Sequence, residues 1–231
     1  MEIEDLKVFL NDSFKIKDLG RVHYFLGLEF SHKDDGVIIS QRKFTLDFLK
    51  EYQCMDYNNF TSPLDPTVKL KAKEEEALTD PTYYRKLVGK LNFLTNTRLD
   101  IAYSVQNLSQ FMDDTRQPHL KAVFHLLRYL KTDPTLGIFM SRDTNYTFRD
   151  YCDSNWAVCP DSRKSISGYH VLLGSSPVSW KSKKHATISL SSAEVEYRAL
   201  RKVVGELVWL SRLFEELTVP FPKPIVVFCD S

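Results

Sequence analysis

From about residue 137 to the C-terminus the hydrophobic period changes from strand to helix and back, and this limits the fold more than any other feature of the chain. "GIFM", "YTFRDYC", "SGYHVLLG", "PVSWKSKK" and "ATISL" read as strands, rich in β-branched and aromatic residues. "GIFM", a turn at "SRDTN" and "YTFRDYC" form an expected hairpin. One long helix follows from about Ser191 to Leu217, opened by the capping box Ser191-x-x-Glu194. "IVVFC" comes last and is apolar on both faces, the pattern of an internal strand covered on both sides. The expected product is a mixed sheet with a long helix.

Upstream the pattern is mostly helical. Ile3, Leu6, Leu10 and Phe14 make a helical stripe ended by Asp18-Leu19-Gly20. "VHYFLGLEF" reads as one strand, "HKDDG" as a turn and "VIIS" as its return. "SQRKFTLDFLKEYQ" reads as a helix with a serine cap. Two prolines and "KLKAKEEE" mark a linker at 63–80. Asp80-Pro81 then caps a helix whose buried face is Tyr84, Leu87, Val88, Leu91 and Leu94. Two further helices are expected at about 100–112 and 118–131. The divisions are 1–62, the linker 63–80, a helical region 81–135 and a sheet region 136–231.

Bulk properties exclude little beyond fibrous and membrane classes. The 231 residues are 43% hydrophobic and 26% charged, with a net charge of +1, so any attraction for nucleic acid must be local. The four cysteines, at 54, 152, 159 and 229, form no C-x-x-C pair, which fits a reduced intracellular compartment. No apolar run approaches a membrane span, and the acidic N-terminus is neither a secretion signal nor a transit peptide.

Three acidic residues attract attention. Cys152-Asp153-Ser154 and Cys229-Asp230-Ser231 each end an expected strand, where α/β sheets place ligands. On the long helix, Ala193, Tyr197, Leu200, Val204, Leu207 and Phe214 form an apolar side, with Glu196 roughly 40° from its centre. A carboxylate there needs a metal, a cation or strong donors, whereas Glu194 is accounted for by the cap. If the two strands are neighbours, Asp153, Glu196 and Asp230 converge, and an oxygen-only set of mutually repelling carboxylates suits Mg²⁺ or Mn²⁺. Against this, an Asp after a strand is more often a turn former, and Glu196 has Arg198 and Lys202 near it in sequence.

"YCDSNWAVCPDSRKSISGYHVLLGSSPVSWKSKKHATISLSSAEVEYRAL" resembles the ribonuclease H region of copia-type retrotransposon Pol polyproteins. "FKIKDLGRVHYFLGLEF", "YRKLVGKLNFLTNTRLDIAYSV" and "PHLKAVFHLLRYLK" resemble the end of the reverse transcriptase and the connection in the same polyprotein. The resemblance implies an α+β fold: a thumb- or connection-like helical region, then a truncated ribonuclease H-like mixed sheet with a long helix. It implies Asp153, Glu196 and Asp230 as catalytic, metal-holding residues, Mg²⁺ or Mn²⁺ as cofactor, and an RNA–DNA hybrid as substrate. The rest of Pol is the implied protein partner. A fourth acidic residue of the family lies on sequence absent here, and a catalytically dead, binding-only remnant is the alternative. Asn155 and Val158 stand where the family commonly has an acid and a glycine.

Two strings imitate a polymerase motif. "FMDD" at 111–114 sits on helically spaced neighbours, and "HKDDG" lacks the aromatic residue, so no polymerase centre is expected. From Asp161 to Lys202, eight Lys/Arg face three Asp/Glu. Arg163, Lys164, Lys181, Lys183 and Lys184 are the candidate nucleic-acid contacts, and lysines guarding an edge strand are the competing explanation. Trp156, Trp180 and Trp209 are assigned to the core, and the six histidines receive no role.

Overall fold

The computed structural model describes residues 2–17, 20–143, 146–219 and 221–229. It is an α+β protein: helices α1 (Glu2–Phe14), α2 (Arg42–Glu51), α3 (Pro81–Leu94), α4 (Ala102–Ser109), α5 (Gln117–Leu130) and α6 (Ser192–Glu216) accompany two four-stranded sheets. One sheet has the order β1 (Tyr24–Phe25), β2 (Leu28–His32), β3 (Gly36–Ser40), β4 (Gly137–Ser141). The other runs β7 (Ser176–Lys184), β6 (Ile166–Leu173), β5 (Phe148–Asn155), β8 (Val226–Cys229).

The helical core follows from local rules. Asp80 Oδ1 accepts the Thr82 N–H at 2.9 Å, Pro81 starts α3 without needing a donor, and Tyr84, Leu87, Val88, Leu91 and Leu94 are all buried. They pack with Val105 and Leu108 of α4 and Val123, Leu126, Leu127 and Leu130 of α5. The stretch 63–80 carries no helix or strand and lies along α5: His119 Nε2 donates to the Lys71 carbonyl at 2.8 Å, and His125 bonds the Ser62 carbonyl at 3.0 Å.

Several expectations are corrected. "VHYFLGLEF" is two strands, folded at Leu26 and Gly27 with φ of 49° and 84°. A left-handed pair is a tight-hairpin geometry, and a side chain at Gly27 would press on Phe93 at 3.1 Å. Ser40 ends β3 and does not cap α2; Gln41 occupies that position, without a side-chain cap bond. "GIFM" does not pair with "YTFRDYC". Its strand β4 pairs antiparallel with β3, Gly137 opposite Ser40, while β5 pairs with β6 and β8. "ATISL" is no strand; it carries exposed Ile188 and Leu190 into the α6 cap. "IVVFC" is not internal among the described residues: β8 lies at the sheet edge, with Val226 50% and Phe228 47% exposed.

The second core forms where α6 crosses β5 and β6. Phe148, Cys152 and Val171 meet Val203, Leu207 and Leu210, with Phe214 and Phe221 edge-on to Phe148. The buried stripe of α6 is Val195, Ala199, Val203, Leu207 and Leu210, not the side carrying Tyr197, which is 74% exposed. α6 has two apolar stripes about a quarter-turn apart. Small Ala199 and the β-branched valines let the helix sit close to the sheet, which a tyrosine there would prevent. Trp156 and Trp209, assigned to the core, are 52% and 57% exposed; Trp156 Nε1–H donates to the Ser189 carbonyl at 3.0 Å and ties the end of β5 to the start of α6.

Candidate functional site

β5 and β8 run parallel in register, with Arg149 opposite Val226 and Cys152 opposite Cys229. The two thiols stand 2.7 Å apart. Burial, with Cys229 beside it, pushes the Cys152 thiol up to about 12. The two Cys-Asp-Ser stretches are thus neighbours up to their cysteines. Asp153 follows Cys152 on β5, opposite Gly168 of β6, and Asp230 lies outside the described residues.

Strand alternation decides where each carboxylate points. Phe148, Asp150 and Cys152 are buried towards α6, and Arg149, Tyr151 and Asp153 are exposed on the other face. Asp153 opens on a groove of about 910 Å³ between that face and α4, lined also by Tyr103, Tyr151, Trp180 and Phe228. Tyr151 and Phe228 stack there at 5.1 Å. Glu196 is half-buried on the second turn of α6, about 40° from the centre of the observed stripe. It therefore lies on the α6 side of the sheet, whereas Asp153 lies on the other. Ser191 Oγ accepts the Glu194 N–H at 3.2 Å, and Glu194 in turn accepts the Leu190 N–H at 2.7 Å and pairs with Arg198 at 2.6 Å. Among the described residues no three His, Cys, Asp or Glu side chains stand together as a metal site. Asp153 and Glu196 offer the oxygen ligands a hard divalent cation prefers, but on opposite faces of the sheet they are not brought together; Asp230 lies beyond the described residues.

The basic candidates separate by face. Lys181 and Lys183 project on the α6 side of β7, opposite Tyr169 and Ser167. Lys184 points the other way, donating to Gln110 Oε1 at 2.7 Å and to Cys159 Sγ at 2.8 Å. Burial alone would raise the Cys159 thiol, but Lys184, Ser162 and nearby N–H groups bring it down to about 7. Arg163 and Lys164 occupy the turn between β5 and β6, with Arg163 at φ 52°. "FMDD" falls in the turn after α4, where Asp114 pairs with Arg116 at 2.9 Å.

Two residues were given no site role by the sequence. Asp150 is wholly buried between Phe148 and Cys152, and neither of its carboxylate oxygens has a hydrogen-bond partner. Burial, with Glu206 adding to it, pushes its carboxyl up to about 6 against the pull of the Tyr151 N–H. The alternation in "FRDYC" already placed it inward. Lys202 sits against the sheet with its ammonium 3.4 Å from Ser167 Oγ.

The fold is that of an α+β protein with a mixed sheet in which β5 and β8 end side by side at Cys152 and Cys229. Comparison with known proteins gives the lineage. The chain is 39% identical, over 96% of its length, to the retrovirus-related Pol polyprotein from transposon RE1 of Arabidopsis thaliana. It is 31% identical over 99% to the corresponding polyprotein of a Nicotiana tabacum transposon. An uncharacterized mitochondrial protein of Arabidopsis thaliana is 36% identical over 87% of the chain and 84% of its own length. The chain belongs to the family of retrovirus-related Pol polyproteins of copia-type transposons. It spans 15% of the RE1 polyprotein and 18% of the tobacco one. No protein-family model matches it, and no solved structure does either.

Proposed function

We propose that residues 136–231 form a ribonuclease H-like region whose ancestral reaction is Mg²⁺- or Mn²⁺-dependent endonucleolytic cleavage of RNA in RNA–DNA hybrids. Residues 1–62 correspond to the end of the reverse transcriptase and 81–135 to the connection. The observation that supports this reading is the parallel register of β5 and β8, which sets Cys152 beside Cys229, each followed in the sequence by an aspartate. Asp153, Asp230 and Glu196 are the residues that would hold the ion, which when bound supplies an activated water for phosphodiester hydrolysis. The remainder of Pol is the proposed protein partner.

A second reading is a nucleic-acid-binding module without turnover. It is favoured by the placement of Asp153 and Glu196 on opposite faces of the sheet. A labelled RNA–DNA hybrid incubated with Mg²⁺ or Mn²⁺ separates the two. The first reading predicts RNA cleavage that Asp153→Asn abolishes; no cleavage by the unmutated chain, or equal cleavage by the variant, leaves only the second.

A further inference from the structure

Between α6 and the β6–β7 face lies a cleft of about 310 Å³, lined by Lys181, Lys183 and Lys202 together with Ser167, Gly168, Tyr169, Gly205 and Glu206. The two β7 lysines are two residues apart and so point to the same side, about 7 Å from each other along the strand. Lys202 reaches in from α6, its ammonium 3.4 Å from Ser167 Oγ. Ser167 is buried and shares its hydroxyl with His185 Nε2.

The charges here are not balanced within the protein. Among the described residues neither Lys181 nor Lys183 has an ion pair or side-chain hydrogen bond, and Lys202 has only Ser167. The acids nearby are already engaged: Glu206 Oε1 accepts from Ser179 Oγ at 2.7 Å, and Glu194 is paired with Arg198. Burial first, and then the charges of Lys183, Lys181 and Arg198, hold the Lys202 ammonium below its ordinary range. Three ammonium groups against one carboxylate, Glu206, are costly when the cleft is empty and favourable when an anion enters. Gly205 leaves the entrance open, since a Cβ there meets nothing within 4 Å.

We infer that this cleft binds the phosphodiester backbone of a nucleic acid strand, with Lys202 joining Lys181 and Lys183 around one stretch of phosphates and Ser167 donating to a phosphate oxygen. Phosphates are favoured over carboxylates because the donors are point charges, plus one hydroxyl, in an open slot rather than the planar forks that carboxylates match. The inference rests on the nucleic-acid partner proposed above but needs none of its carboxylates. The site is therefore measured in EDTA, where cleavage is off.

The test uses the full chain and a fluorescent RNA–DNA hybrid, with Kd followed from about 50 to 200 mM salt. Lys202→Gln should flatten the log Kd against log salt slope by about 0.9, and the Lys181→Gln, Lys183→Gln, Lys202→Gln combination by nearly three times that, about one per phosphate contact. Lys121→Gln on α5 removes the same charge elsewhere and should leave the slope unchanged. An unchanged slope in the triple variant, an equal loss in Lys121→Gln, or polyglutamate competing as well as the hybrid overturns the inference. Hybrid cleavage that Asp153→Asn leaves intact overturns the nuclease reading and leaves this one standing.

Discussion

Asp150 offers the sharpest energetic test of the second core. Its carboxyl is 0% exposed, its oxygens are unpartnered, and burial raises it from 3.8 to about 6. The folded chain therefore binds this proton more tightly than the unfolded chain. The associated stability is fully present below about pH 4, is lost as pH rises through about 6, and stays lost above that. About two units at roughly 1.4 kcal/mol each amount to about 3 kcal/mol at pH 8. Asp150→Asn keeps the shape and cannot ionise. In urea unfolding followed by circular dichroism, the variant's midpoint should exceed that of the unmutated chain by only about 0.3 M at pH 4.5. At pH 8 the variant should unfold about 1 M later, for a slope of about 3 kcal/mol/M. A variant-minus-parent difference that is the same at both pH values refutes the reasoning, because it would mean that Asp150 is ionised at no cost or is solvated.

Asp100→Ala should cost about 3–5 kcal/mol in urea unfolding, because it strands the buried Arg98 guanidinium, which donates to Asp100 at 3.0 and 2.7 Å. Leu127→Ala, at the centre of the helical core, should cost about 2–5 kcal/mol by the same measure. Gly205→Ala should stabilise by about 0.5–1 kcal/mol, since α6 gains a better helix former where a Cβ has room. Diamide, reduced to its hydrazine as two thiols are oxidised, should join Cys152 to Cys229. The tryptic disulfide peptide should be detected by mass and be absent in Cys229→Ser; no such peptide from the parent contradicts the β5–β8 register.

α3 was legible because everything that makes it is local: a cap, a proline and one apolar stripe within 15 residues. The phase of α6 was not, since Tyr197 and Val204 are as apolar as Val195 and Val203, and only the sheet beneath selects between the stripes. The partner of β4 was hidden for a related reason. Gly137 and Ser40 meet across nearly a hundred residues, and nothing in "GIFM" prefers β3 over the strand that follows it. "IVVFC" read as internal because an edge strand with apolar residues on both faces has the same composition as a covered one. At the candidate site, the like positions of Cys152 and Cys229 after two strands raised their adjacency only as a condition, and the β5–β8 register meets it as far as the cysteines. The face of Asp153 depended on the register of β5 against α6. The cleft around Lys202 required a helix and a strand to be placed against each other, which spacing along one element cannot supply.

The most direct test of the account is the metal itself. Manganese binding, followed by loss of the free Mn²⁺ signal in electron paramagnetic resonance, should show one ion per chain at the strand ends. That ion should be lost in Asp153→Asn and weakened in Glu196→Gln. Mn²⁺ held equally by Asp153→Asn, or not held by the parent chain, contradicts a divalent-ion centre built on Asp153.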